Sequence, residues 1–183
     1  MTSGRLALRL TVGGLMMGHG LQKLNGSFGG PGLEATQESM GAIGLHPAKQ
    51  QGLAAALSET IGGGLTAAGF LSPLGPAMIM GTMIVAIQKV HAKNGPWVTK
   101  GGYEYNATII AAALSLATAG PGVLSLDGLL RKQRSGLRWG VLALAMAAGG
   151  AASTLAISNK MQPDAVAADE AEPESSTTED AAE

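Results

Sequence analysis

"LAAALSETIGGGLTAAGFLSPLGPAMIMGTMIVAIQKV" (residues 53–90) decides the fold. It holds two apolar runs, Leu53–Leu71 and about Leu74–Val90, separated by a turn at Ser72-Pro73. The first is interrupted only by Ser58, Glu59 and Thr60. A helix needs about 20 apolar residues to cross hydrocarbon, with a range of roughly 17 to 25, and both runs reach that range. Working outward, three more runs follow the pattern. One spans about Leu6 to Leu24 with Arg5 and Arg9 at its start, one about Tyr103 to Gly120, and one Trp139 to Ile157 after the basic "RKQRSGLR". Backbone exposed to lipid must satisfy its own hydrogen bonds, so the expected fold is all-α, a multi-pass membrane bundle.

Composition agrees. Charged residues are 14% of the 183, against roughly 25% in ordinary soluble domains. Gly, Ala, Leu and Met are abundant and aromatics scarce, a bias that suits helices packing closely in lipid. A cleaved secretory signal is the competing reading of the first run, where "GHG" offers a small-x-small site; Gln22, Lys23 and the later runs oppose it. The 28 glycines include Gly14 and Gly18, a GxxxG expected to make a close helix contact.

The net charge of -1 conceals a split. Residues 1–158 carry eleven Lys/Arg and five Asp/Glu; residues 159–183 carry one Lys and eight Asp/Glu. The acidic piece has almost no large apolar residues and cannot offset chain entropy, so 159–183 reads as a disordered tail. No basic patch is interleaved with aromatics, which argues against nucleic-acid binding. With no cysteine, disulfides, thiol relays, cysteine-ligated iron–sulfur clusters and covalently attached haem are excluded. No metal site is expected. If the spans alternate, Lys/Arg residues divide six against six between the two sides, and the compact 131–138 cluster favours its own side as cytoplasmic. The chain is expected in the cell membrane.

Alternation also gathers polar groups on one membrane face. The end of the first span, the start of the second, the end of the third and the start of the fourth meet there. They bring His19, Gln22 and Lys23; Glu59; Gln88, Lys89 and His91; and Tyr103, Glu104, Tyr105 and Asn106. At about 1.5 Å per residue, Glu59 lies roughly 9 Å inside its helix end and His19 about 7 Å inside its own. An ionisable group within a bilayer costs about 2.5–3.5 kcal/mol at the helix centre, so it faces a partner or a cavity. His19 and Lys23, spaced i, i+4, share a helix face. A carboxylate, two imidazoles and a lysine around an apolar pocket could bind a quinone headgroup and move its protons. The plainer reading of Lys23, Lys89 and Glu104 is interfacial anchoring. His19 and His91 on two helices at matching depth would also suit axial ligation of a b-type haem, but no second pair supports it, and haem b is disfavoured. His46, before Pro47, reads as an exposed turn residue.

"RLTVGGLMMGHGLQKLNGSFGGPGLE", "LSETIGGGLTAAGFL" and "VHAKNGPWVTKGGYEYN", in this order and spacing, resemble the DoxX family of small bacterial membrane proteins. The resemblance spans about residues 5–130 and implies a four-helix membrane bundle over 1–130. A basic loop at 131–138, a fifth transmembrane helix at 139–158 and the acidic tail lie outside the shared pattern. By position, the family's characteristic residues fall on Arg9, His19, Gly20, Lys23, Glu59, Gly62, Gly63, His91, Asn94, Gly95, Gly102, Tyr103 and Glu104. Where family members commonly carry aromatics after the lysine, this chain has Asn25 and Ser27, which weakens any expectation of aromatic stacking there. Family members have been linked to quinone-dependent oxidoreductase complexes, including thiosulfate oxidation in the related DoxD branch, and to oxidative-stress assemblies.

The combined expectation is a quinone-interacting or redox-associated membrane subunit working with soluble oxidoreductase partners. Glu59 and His19 would handle protons. His19, Gln22, Lys23, Glu59, His91, Asn94, Tyr103 and Glu104 would form the binding set. The alternatives are a non-catalytic anchor or scaffold for an oxidative-stress complex, and a small-molecule transporter. The lipid bilayer and a homo-oligomer complete the expected partners.

Overall fold

A computed structural model describes residues 2–162. Among them every regular element is helical. They are α1 (Thr2–Asn25), α2 (Gly32–Ala42), α3 (Ala48–Ala68), α4 (Leu74–Ala86), α5 (Glu104–Ala119), the single-turn α6 (Leu126–Leu129) and α7 (Leu137–Met161). The all-α expectation holds. Most of the acidic tail, residues 163–183, lies outside the described residues. Residues 159–161, assigned to that tail by composition, instead finish α7.

Sequence punctuation sets the helix ends. Pro47 and Pro73 stand immediately before α3 and α4. Gly69, at φ 62, closes α3 in the left-handed conformation, its N–H bonded to Leu65 and Thr66 carbonyls. α4 does not stop at Ala86: it widens into a single π turn over Ile87–His91.

α4 is the centre of the bundle, packed against α3, α5 and α7, while α1 lies along α3. The core is built from small and flexible residues: Met16, Ile79, Met80 and Met83 among Ala77, Ala113, Ala117, Ala143 and Ala147. α1 and α3 approach to backbone contact. A Cβ at Gly13 would run into Gly63 and Ala67, and one at Gly20 into the backbone of Thr60. The GxxxG pair expected to make this contact does not make it: a Cβ at Gly14 or Gly18 meets nothing within 4 Å. Spacing identifies a small face but not which way it points. Gly13 and Gly20, two helical turns apart, share the face that turns inward with Met16.

α2 was not anticipated. It is too short and polar to cross a bilayer, and it lies across the ends of α1 and α3. Leu33, Thr36, Met40 and Ile43 carry the helical spacing that could have disclosed it. Thr36 is buried, its hydroxyl bonded to the Gly32 carbonyl at 2.7 Å.

Among the described residues, α7 is the one helix long and apolar enough to cross a membrane by length and composition alone. The other expected spans fall short for visible reasons. α1 carries Arg5, Arg9 and Lys23, and α3 dilutes its apolar residues with Gln50, Gln51, Ser58, Glu59, Thr60, Gly62, Gly63 and Gly64. α4 has 13 residues before its π turn, and α5 has 16.

Arg9 closes the end of the bundle opposite the expected polar cluster. Although buried, it is fully partnered by backbone. Its Nε donates to the Ala67 carbonyl at 3.0 Å, Nη2 to Leu124 at 2.5 Å, and Nη1 to Pro121. Asp127 is 1% exposed and accepts the N–H groups of Leu71 and Ser72 at 3.1 and 2.8 Å. Arg134 adds a bond to the Ser72 carbonyl, and its guanidinium and that of Arg138 lie over the Trp139 ring. Arg9 therefore stands apart from the other residues of the family pattern, ten positions and about 15 Å along α1 from His19.

Candidate functional site: a cavity with one polar corner

The other end of the bundle is hollow. A cavity of about 580 Å³ is bounded by α1, α2, α3, α4, α5 and α7. His19, Lys23, Glu59 and His91 all line it, joined by Gln51, Ser58, Tyr105 and Asn106. Apart from Thr82 and Thr154 the remaining lining is apolar and rich in methionine: Met16, Met40, Met78, Met83 and Met146.

At its centre, Lys23 Nζ lies 2.5 Å from Glu59 Oε2. Lys23 comes from the last turn of α1, where a cation is favoured by the helix dipole. Glu59 sits in the middle of α3, where no dipole helps it, and its side chain is 7% exposed against 27% for the lysine. Burying two charges costs several kcal/mol per ion after relaxation, which a single contact repays incompletely. Glu59 Oε1 accepts no protein hydrogen bond among the described residues, yet it is not sealed from the cavity. The carboxylate keeps spare accepting capacity where a ligand could use it.

The two imidazoles are held by their Nδ1 atoms. His19 Nδ1 is 3.0 Å from Gln22 Oε1, one turn on, and His91 Nδ1 is 2.7 Å from the Gly101 carbonyl. A carbonyl only accepts, so His91 Nδ1 carries the proton, and a neutral ring presents Nε2 as an acceptor. The π turn over Ile87–His91 sets this ring's direction, since one extra residue per turn re-aims the side chains that follow.

The other expected site residues stand around the cavity rather than on its wall. Gln22 orients His19. Asn94 Nδ2 donates to the same Gly101 carbonyl that holds His91, at 3.2 Å. Tyr103 N–H bonds the Gly95 carbonyl and Glu104 N–H the Pro96 carbonyl, closing the loop that presents Gly101. Gly95 and Gly102 belong to the same closure: a Cβ on Gly102 would strike the backbone of residues 95–97. These residues support the corner from behind. Asn106 and Gln51 are both buried on the wall, Asn106 with its amide 3.4 Å from Met83 Sδ. Neither belongs to the expected binding set, although Asn106 is among the polar groups that alternation gathers; Gln51 lies two residues before the apolar run as read from the sequence.

The roof is α2 with the loop that follows it, contributing Met40, Ile43 and Leu45. α7 and α4 fasten this loop. Ser158, fully buried, donates to the Gly44 carbonyl and accepts the His46 N–H, both at 2.9 Å. Lys89 Nζ also donates to Gly44, so its role here is a tie rather than an anchor in water. Among the described residues no group of three His, Asp or Glu is placed to hold a metal ion.

Fold and site together define a class: a glycine- and alanine-packed helical bundle built around a cavity with a single charged corner. The DoxX family model matches residues 4–92, and the chain belongs to the DoxX family of membrane proteins. The match ends just after His91, before α5 and α7, and is shorter than the resemblance over about 5–130. No curated protein and no solved structure matches the chain.

Proposed function

We propose that the chain is a multi-pass protein of the cell membrane, with α1, α3, α4, α5 and α7 crossing the bilayer, and that its cavity binds a quinone for a redox system with soluble partners. Outward apolar faces support the placement: Leu8, Leu10 and Leu15 on α1, Leu53, Leu57 and Ile61 on α3 are exposed. In a bilayer these residues meet acyl chains, whereas in water they would form patches of the kind soluble monomers avoid.

The observation that carries the quinone reading is the asymmetry of the cavity. A quinone ring is flat and apolar with two opposed oxygen acceptors, and when bound it supplies coupled electron and proton transfer. The donor set fits it. Lys23 Nζ and the Asn106 amide can donate to ring oxygens, while Glu59 and His91 Nε2 can take or return protons. The apolar remainder excludes water and strengthens each polar contact. His19 lies on the same wall to pass protons toward the outside.

A short-tailed benzoquinone titrated calorimetrically into the full chain in nanodiscs tests this. Saturable binding is expected, weakened at least about tenfold by Lys23→Met, which removes the ammonium that donates to a ring oxygen. No saturable binding, or equal affinity in the variant, overturns the reading.

A further inference from the structure

The cavity is longer than its polar corner requires. Along α4 its lining extends from Leu74 to His91, about 25 Å at 1.5 Å per residue. Its ionisable groups are His19, Lys23, Glu59, His91 and Tyr105, and none comes from α7. The wall that α4 and α7 share holds Leu74, Met78 and Gly81 of α4 with Met146, Ala147 and Gly150 of α7, and Thr154 is its one polar side chain from α7. Thr82, also on the wall, turns its hydroxyl to the Ile79 carbonyl of its own helix and so adds only a methyl. At Gly81 the helices touch, a Cβ there lying 3.4 Å from the Ala147 carbonyl oxygen. One turn along α7, a Cβ at Gly150 would meet nothing within 4 Å, and Gly150 is exposed. The cavity therefore has a largely apolar arm between α4 and α7, on the roof side of the Gly81–Ala147 contact, that opens sideways beside Gly150.

We infer that this arm receives the isoprenoid tail of the ligand and that α7, outside the family-matched segment, is the element that confers recognition of the tail. The inference rests on the quinone reading of the polar corner. Three features favour a branched, flexible tail. The arm is continuous with the corner, so a headgroup without a tail would leave its walls unpaired. Its methionines are unbranched and polarisable and adapt to an irregular chain. Its side opening, in a bilayer, gives directly onto hydrocarbon, so a lipid-borne ligand enters without crossing water.

The test compares a tail-less dimethoxy-methyl-benzoquinone with its multi-isoprenoid counterpart, each binding to the full chain in nanodiscs. Binding is read by quenching of Trp97, which is exposed beside the cavity residue Val98, in a Trp139→Phe background. Gly150→Leu places a side chain in the arm. Gly149→Leu is the control: a Cβ there also meets nothing within 4 Å, but Gly149 does not line the cavity. The expected result is a Kd for the tailed quinone raised at least about fivefold by Gly150→Leu, as overfilling a packed space does, with the tail-less Kd and the Gly149→Leu protein unchanged. Equal weakening of both quinones, or of neither, overturns the tail assignment while leaving the corner intact. A wild-type protein that binds neither quinone removes the corner and the tail together.

Discussion

The two ends of the bundle bury charge in opposite ways. At one end Arg9 spends its guanidinium on three backbone carbonyls, and Asp127 receives two backbone N–H groups. Every partner there is main chain, from turns that would otherwise carry unpaired groups. At the other end Lys23 and Glu59 have chiefly each other, and Glu59 keeps an oxygen open to a cavity. Both ends contain ionised side chains with little exposure. They differ in what is left over: the first is saturated and acts as a clasp, and the second retains capacity for a ligand.

Substitutions can break that contrast or sharpen it. The largest loss is expected from Arg9→Met, which strips the donor from three carbonyls and should cost at least about 3 kcal/mol in thermal or denaturant unfolding. Asp127→Asn comes next. It keeps the shape but replaces one acceptor with a donor facing an N–H, for about 2 kcal/mol. Glu59→Gln should be mildest, within about 1 kcal/mol, since the amide oxygen can still accept from Lys23 and the burial cost of the charge disappears. If Glu59→Gln unfolded the protein as severely as Arg9→Met, the cavity end would be a second clasp.

Much of this was legible in the sequence, and the gaps have physical causes. The five long helices follow from apolar runs, and the starts of α3 and α4 from the prolines before them. The meeting of His19, Lys23, Glu59 and His91 follows from alternation and depth. α2 escaped because a search for long apolar runs passes over a short amphipathic helix. The Gly14–Gly18 contact failed because spacing gives periodicity without direction; the inward face belongs to Gly13 and Gly20. Arg9 shares the family pattern with His19, yet a linear pattern carries no distance, and ten helical residues separate a clasp from a ligand corner. Nor could a pattern show that Asn94, Tyr103 and Glu104 work from behind the wall, closing the loop whose carbonyl holds His91.

The contrast also assigns α7 a place. Its Ser158 fastens the roof loop, and its small residues form one wall of the cavity, so a helix outside the family match completes the compartment. A DoxX-family chain lacking such a helix would have to close that side otherwise.

The most direct measurement is the upward shift in melting temperature that a short-tailed benzoquinone induces, compared between Lys23→Met and Asp127→Asn. A ligand that binds only the folded state stabilises it by mass action, whatever the starting stability. Asp127→Asn should melt lower than wild type yet gain the same shift, and Lys23→Met should gain none. A shift that survives in Lys23→Met, or vanishes in Asp127→Asn, would contradict the division between clasp and ligand corner.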